Sequence, residues 1–186
     1  MGAEFWEKFT PYRDKLETAL EELQKSVLES GDYFKVESKK EKIKSLKKIT
    51  QSFEDFCDNF PYELPEETLD RMFIGYQKQL KQLKNLPKAK TLKEKINEIM
   101  LLNEAEGTKS ILDFDGFSET PEMCKITPLG RDKILELFGT EIPSRKDVAD
   151  SNNKIAELCD RLIGVCVTVY ESGKPTEIYF AGYSAD

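Results

Sequence analysis

The side chains best placed to do chemistry in this 186-residue chain are carboxylates and lysines, because it contains no histidine. The densest acidic stretch is Asp113-Phe114-Asp115-Gly116-Phe117-Ser118-Glu119, with Glu122 just beyond. Carboxylates at this spacing can bind Mg²⁺ or Ca²⁺ through oxygen, with Asp113 and Asp115 as ligands. The Asp-x-Asp-Gly order departs from the calcium loop, whose glycine follows a third ligand position. The stretch is read first as a solvated turn, secondly as an interaction loop displaying Phe114 and Phe117. The third reading is the metal site of a carboxylate- or metal-dependent enzyme. The basic counterpart is Lys39–Lys48, where six lysines fall in ten residues. Lys40, Lys44, Lys47 and Lys48 share one face of a helix and could meet a phosphate backbone. No arginine or aromatic residue is interleaved with them, so solvated lysines are expected and nucleic-acid binding is the weaker alternative.

The missing histidine removes histidine-based triads, the HExxH metalloproteases, the kinase HRD loop and every zinc site that needs imidazole. No GxxxxGK[ST] or GxGxxG loop is present, and Ser172-Gly173-Lys174 precedes a proline and a strand instead of opening a helix. Cys57, Cys124, Cys159 and Cys166 form no CxxC pair or metal-ligand spacing. They are expected to be reduced thiols used as small hydrophobes. Glu63, Glu66, Glu67 and Asp70 cluster where a helix begins and negative charge is favoured locally. No catalytic residue and no cofactor is expected.

Composition frames these sites. There are 28 Lys and Arg against 35 Asp and Glu, a net charge of −7, with 39% hydrophobic residues. Residues 1–35 carry −3, 36–110 carry +2 and 111–186 carry −6, so the acidic excess is mainly C-terminal. The first residues lack the basic and apolar regions of a secretory signal. No apolar run approaches the roughly 18 residues of a membrane span. A cytoplasmic protein without membrane attachment is expected.

The elements that must position these residues divide at about 106. Before it, four stretches have helical period. The first places Phe5, Phe9, Tyr12, Leu16, Ala19 and Leu23 on a heptad-like seam of coiled-coil type, with Pro11 inside it and Gly31 as its stop. The second runs from Lys39 to Phe60 behind the capping box Ser38–Glu41 and ends at Pro61. The third starts at Leu64-Pro65 and carries Leu69, Met72, Phe73, Tyr76, Leu80 and Leu83. The fourth starts at the box Thr91–Glu94 and stops before Gly107. Antiparallel pairing of the first two helices would gather Phe5, Trp6, Phe9 and Tyr12 beside Phe53, Phe56 and Phe60. Trp6 or Tyr12 would then be available as an interface anchor.

After Gly107 the pattern changes to short strands at 110–114 and 123–127 and a helix through Ile134 and Phe138 to Gly139. A second helix runs from Ser144 to Leu162, and a hairpin pairs 165–170 with 176–183. Ile126-Thr127-Pro128-Leu129-Gly130-Arg131 resembles the LTPxGR step that follows the wing in some winged-helix regulators. No recognition helix precedes it, and the chain is not assigned to that family. The expected architecture is α+β, mainly α: an antiparallel helical bundle over 1–106, then a small antiparallel sheet with two helices over 107–186, the two regions being either separate or built on one shared core. The expected function is non-catalytic protein–protein interaction through amphipathic helix faces, as an adaptor, inhibitor or immunity-type accessory protein. A protein partner is implied, and nothing in the sequence fixes an oligomeric state.

Overall fold

Phe5–Pro11 is a strand, β1, where the spacing of Phe5, Phe9 and Tyr12 reads as the start of a helix. A four-residue step is a multiple of two and also close to 3.6, so Phe5 and Phe9 share a face in either conformation. Long-range pairing decides between them: Phe5 to Pro11 run antiparallel to Tyr183 back to Glu177, residue for residue. The computed structural model describes residues 4–35, 37–58, 64–103 and 107–184. It divides into two units, residues 1–34 with 105–186, and residues 35–104. The N-terminal strand therefore places the first 34 residues with the C-terminal sheet, and the chain leaves that unit and returns to it. The fold is α+β, but it is not a helical half followed by a sheet.

In the first unit, α1 spans Leu16–Ser30 and ends at Gly31, whose φ of 73° lets its N–H reach the Val27 carbonyl at 3.0 Å. Strand β2 is Lys125–Pro128. It is followed by α6 (Arg131–Phe138), α7 (Arg145–Asp150) and α8 (Asn152–Ala156), then by β3 (Ile163–Glu171) and β4 (Lys174–Tyr183). The numbers between are taken by the second unit: α2 (Lys39–Ile49), α3 (Phe53–Asp58), α4 (Glu66–Asn85) and α5 (Leu92–Asn103). The sheet order is β1-β4-β3-β2. It is mixed, not antiparallel as expected, because β2 runs parallel to β3 and the three helices between them make the crossover. The single helix expected over 144–162 breaks at Ser151, whose hydroxyl donates to the Leu137 carbonyl at 3.2 Å. The strand expected at 110–114 is a short 3-10 turn at Ile111–Asp113, because the Ser110 hydroxyl accepts from the Leu112 N–H at 3.2 Å.

Both faces of the sheet are covered, and this is why Gly164 to Val167 are buried without alternation. One face packs Val165, Val167, Val169, Tyr179 and Ala181 against Leu137, Val148 and Ile155. On the other, Trp6 meets Phe114 edge-on at 5.2 Å, and Phe117 meets Phe180 at 6.4 Å. Gln24 ties α1 to this layer by donating to the carbonyls of Phe114 at 2.7 Å and Ile111 at 3.3 Å. Gly164 and Gly182 face each other across β3 and β4, where the ring of Phe114 leaves no room for a side chain.

The second unit is helical. Ser38 and Glu41 cap each other's backbone at the start of α2, and Thr91 and Glu94 do the same at α5. The helix expected over 39–60 is two helices. The Thr50 hydroxyl turns back onto the Leu46 carbonyl at 2.7 Å, and the Ser52 hydroxyl accepts from the Asp55 N–H at 3.0 Å to begin α3. Its expected end at Phe60-Pro61 lies outside the described residues. Leu46, Leu80, Leu83 and Leu102 form the core, and Phe56 packs on Phe73 and Tyr76. The aromatic cluster expected to join Phe5, Trp6 and Phe9 to Phe53 and Phe56 is therefore two clusters, since Phe5 meets Tyr183 and Phe9 meets Tyr179. The heptad-like seams serve this local packing, and no coiled coil is formed by the described residues. Among them no helix is long and apolar enough to cross a membrane.

Candidate functional site

The acidic loop is engaged by its own chain. Asp113 is 3% exposed, and its Oδ1 accepts from the Thr108 N–H at 2.6 Å and the Thr108 hydroxyl at 2.7 Å. The Thr108 carbonyl in turn accepts from the Phe34 N–H at 2.7 Å. Asp113 thus secures the strand of chain that returns to the α+β unit beside the one that leaves it. Asp115 is exposed and pairs with Lys125 at 2.7 Å. Among the described residues no group of three or more Cys, Asp and Glu side chains is placed to hold a metal ion.

The aromatic candidates are distributed by the sheet. Trp6 and Phe114 are 7% and 1% exposed and form part of the core, so neither is a surface anchor. β1 turns Trp6 inward because alternate residues of a strand face opposite sides and this side is covered. Phe117 is half-buried against Phe180, and Tyr12, also half-buried, donates its N–H to the Thr176 carbonyl at 2.9 Å. Lys40, Lys44, Lys47 and Lys48 are all exposed on α2. Burial pushes the thiols of Cys159 and Cys166 up to about 12, and burial followed by the charge of Asp115 raises that of Cys124. All four cysteines are free. Tyr179 donates to Glu7 at 2.8 Å and lies 3.0 Å from the Asn152 side-chain oxygen. Its phenol is pushed up by burial first and by Glu7 second, so it serves as a cross-link between strands and α8.

The feature that sequence reasoning missed lies in the helical unit. Between α4 and α5 is a mainly apolar groove of about 400 Å³, open to solvent and lined by Met72, Gly75, Tyr76, Gln79, Met100 and Leu101. Two of these residues are costly for the chain on its own. A glycine inside a helix costs about 1 kcal/mol relative to alanine. Here nothing lies within 4 Å of the position a Gly75 Cβ would take, so no packing within the chain requires it. Gln79 is 7% exposed and its Nε2 donates to the Leu101 carbonyl at 3.1 Å. Its Oε1 is buried without a hydrogen-bond partner, at a cost of about 1–3 kcal/mol. Met72 and Met100 supply walls that can re-pack around a ligand. The signal available in the sequence was Gly75 itself, an isolated glycine in the middle of a strongly periodic helix. Ile74, 62% exposed, lies on another side of α4.

Fold and site together define an α+β protein interrupted by a helical unit that carries an open apolar groove. In comparisons with known proteins the chain matches no family model, no curated protein and no solved structure.

Proposed function

We propose that the protein is a non-catalytic protein–protein interaction protein of the cytoplasm, an adaptor, inhibitor or immunity-type accessory protein, and that the α4–α5 groove is its interface. One observation carries this reading: the groove combines a helix glycine that packs against nothing with a buried amide oxygen that bonds to nothing. Both are liabilities in the isolated chain, and the glycine is the one a partner can offset, by packing against the exposed Gly75 backbone. Binding sites are typically concave and mostly apolar with a small number of placed polar groups, and an open apolar groove has that character. The carboxylates that suggested an enzyme are taken up by Thr108 and Lys125, which removes support from the catalytic alternative.

Photo-cross-linking tests the reading. Benzoylphenylalanine replaces Met72 in the groove or, as a control, Lys174 in the exposed β3–β4 turn, and each form is irradiated in cells that express it. A discrete cross-linked protein from position 72 and not from 174 is expected. Equal products from both positions, or none from 72, would contradict an interface at the groove.

A further inference from the structure

We infer that the outer face of α2, formed by Lys40, Lys44, Lys47 and Lys48, holds the phosphate backbone of a nucleic-acid duplex without reading its sequence. None of the four lines the α4–α5 groove, so this inference does not rest on the interface proposed there. α2 carries six lysines against one acid, Glu41. Lys39 serves the fold, donating to the Leu86 carbonyl at 3.1 Å and pairing with Glu98 at 3.7 Å. Lys40, Lys44, Lys47 and Lys48 are instead exposed and make no ion pair with the described residues. They fall within about 100° of the helix circumference, as one face. That face works against the isolated helix. Lys40–Lys44 and Lys44–Lys48 are like charges at i,i+4, a destabilising spacing, and Lys40 sits in the first turn, where the helix dipole disfavours a cation. A row of anions laid along the helix offsets all of these repulsions.

Little nearby cancels the field. Glu41 keeps its charge but bonds to Ser38 at the cap. α4 packs against α2 through Leu46, Leu80 and Leu83, and the chain from Arg71 to Lys93 has seven cations and no acid. Past the break at Thr50, Glu54 and Asp55 of α3 end the basic stretch. The chain's net −7 acts weakly at this face, because charges are screened over about 8 Å at physiological ionic strength.

The residues absent from the face select the occupant. A membrane-surface helix needs an apolar side to insert, and here Ile43 and Leu46 are taken up by the core. Protein partners are anchored by aromatic or arginine side chains, and single strands by stacking on aromatic rings; α2 has neither arginine nor aromatic. It also has no asparagine or glutamine to read a base edge. What remains is a duplex held by its phosphates. Lys40 to Lys48 span about 12 Å of helix, which matches about four phosphates of one strand at about 3.4 Å along the duplex axis.

The test is fluorescence anisotropy of labelled duplexes titrated with the full chain, with DNA and RNA forms run side by side to show which the face prefers. Four phosphate contacts predict that affinity falls about a hundredfold between about 50 and 200 mM NaCl, equally for AT-rich and GC-rich sequences. In Lys44→Gln/Lys48→Gln the fall should shrink to about tenfold, whereas Lys154→Gln/Lys174→Gln, the same charge change at exposed sites of the α+β unit, should keep the full dependence. The unfolding midpoint of Lys44→Gln/Lys48→Gln should not drop, since that variant removes a repulsion. No binding of either form at about 50 mM NaCl overturns the inference, as does a salt dependence unchanged in Lys44→Gln/Lys48→Gln. Tighter binding to single strands or to phosphatidylserine vesicles than to the duplex overturns it as well.

Discussion

Replacing Gly182 by alanine is expected to destabilise the α+β unit, although the change adds one methyl group to a β-strand. A Cβ at this position would lie 2.9 Å from Trp6 Cζ2, 3.1 Å from the Gly164 Cα and 3.1 Å from Phe114 Cζ. Carbon atoms in favourable contact sit about 3.5–4.0 Å apart, so all three neighbours must retreat. Two of them are rings wedged against each other, and the third is the backbone of the adjacent strand. Overpacking of this kind costs about 1–3 kcal/mol. Alanine returns about 0.5–1 kcal/mol of backbone entropy. A net loss of up to about 2.5 kcal/mol follows, centred at about 1 kcal/mol. The same substitution at Gly75 meets no atom within 4 Å and should instead stabilise by about 0.5–1 kcal/mol. Urea unfolding reads both, through the fluorescence of Trp6, the chain's one tryptophan, for Gly182→Ala and through far-UV ellipticity for Gly75→Ala. If Gly182→Ala is as stable as the wild type, the close packing of Trp6, Phe114 and the glycine pair is refuted. If Gly75→Ala is destabilising, the glycine has a structural role that the open notch does not explain.

Further predictions concern Asp113, the thiols and the helix caps. Asp113→Ala should lose about 2–4 kcal/mol in urea unfolding, through two hydrogen bonds and a buried donor left unmet, while Mg²⁺ leaves the wild-type midpoint unchanged; a midpoint raised by Mg²⁺ would restore the metal reading. With thiols pushed up to about 12, Cys159 and Cys166 should resist iodoacetamide at about pH 8 until the chain is unfolded, and alkylation at a free-thiol rate in the native state would contradict their burial. Glu41, Glu94 and Asp147 are held below their usual values of 4.5, 4.5 and 3.8 by hydrogen bonds from Ser38, from the Lys90 and Thr91 N–H groups, and from Ser144. A lowered carboxyl stabilises the fold fully above its usual value and loses that contribution as pH falls through the lowered one, so the caps should weaken only below about pH 4.5. Carboxyl-carbon NMR titration should give three low midpoints, with that of Glu41 rising in Ser38→Ala; midpoints at the usual values would show that the capping boxes are not formed in solution.

Legibility followed the reach of the interactions. Local signals were readable: the Ser38 and Thr91 boxes begin α2 and α5, and Gly31 and Gly139 end α1 and α6 in the left-handed conformation. The alternation from Val165 to Tyr170 gave β3, because a strand of β-branched residues carries its own pattern. Features set by distant partners were not readable. β1 is a strand because β4 lies beside it more than 160 residues later, and nothing between Phe5 and Pro11 excludes a helix. Asp113 looked like a ligand because its partner, Thr108, becomes significant only when the chain folds back at Phe34. The groove was hidden because Met72 and Met100 fit a core stripe as well as a binding wall, and only the packing leaves the space before them empty.

The most direct measurement of the central claim is methyl NMR on the chain carrying ¹³C-methyl methionine, which has four such residues: Met1, Met72, Met100 and Met123. Met72 and Met100 line the groove, while Met123 is exposed in the α+β unit and serves as the internal control. On titration with the protein captured from position 72, the Met72 and Met100 methyl signals should shift or broaden together while Met123 stays in place. Binding that moves Met123 and leaves Met72 and Met100 unchanged would show that the partner docks elsewhere, and the α4–α5 groove would lose its assignment as the interface.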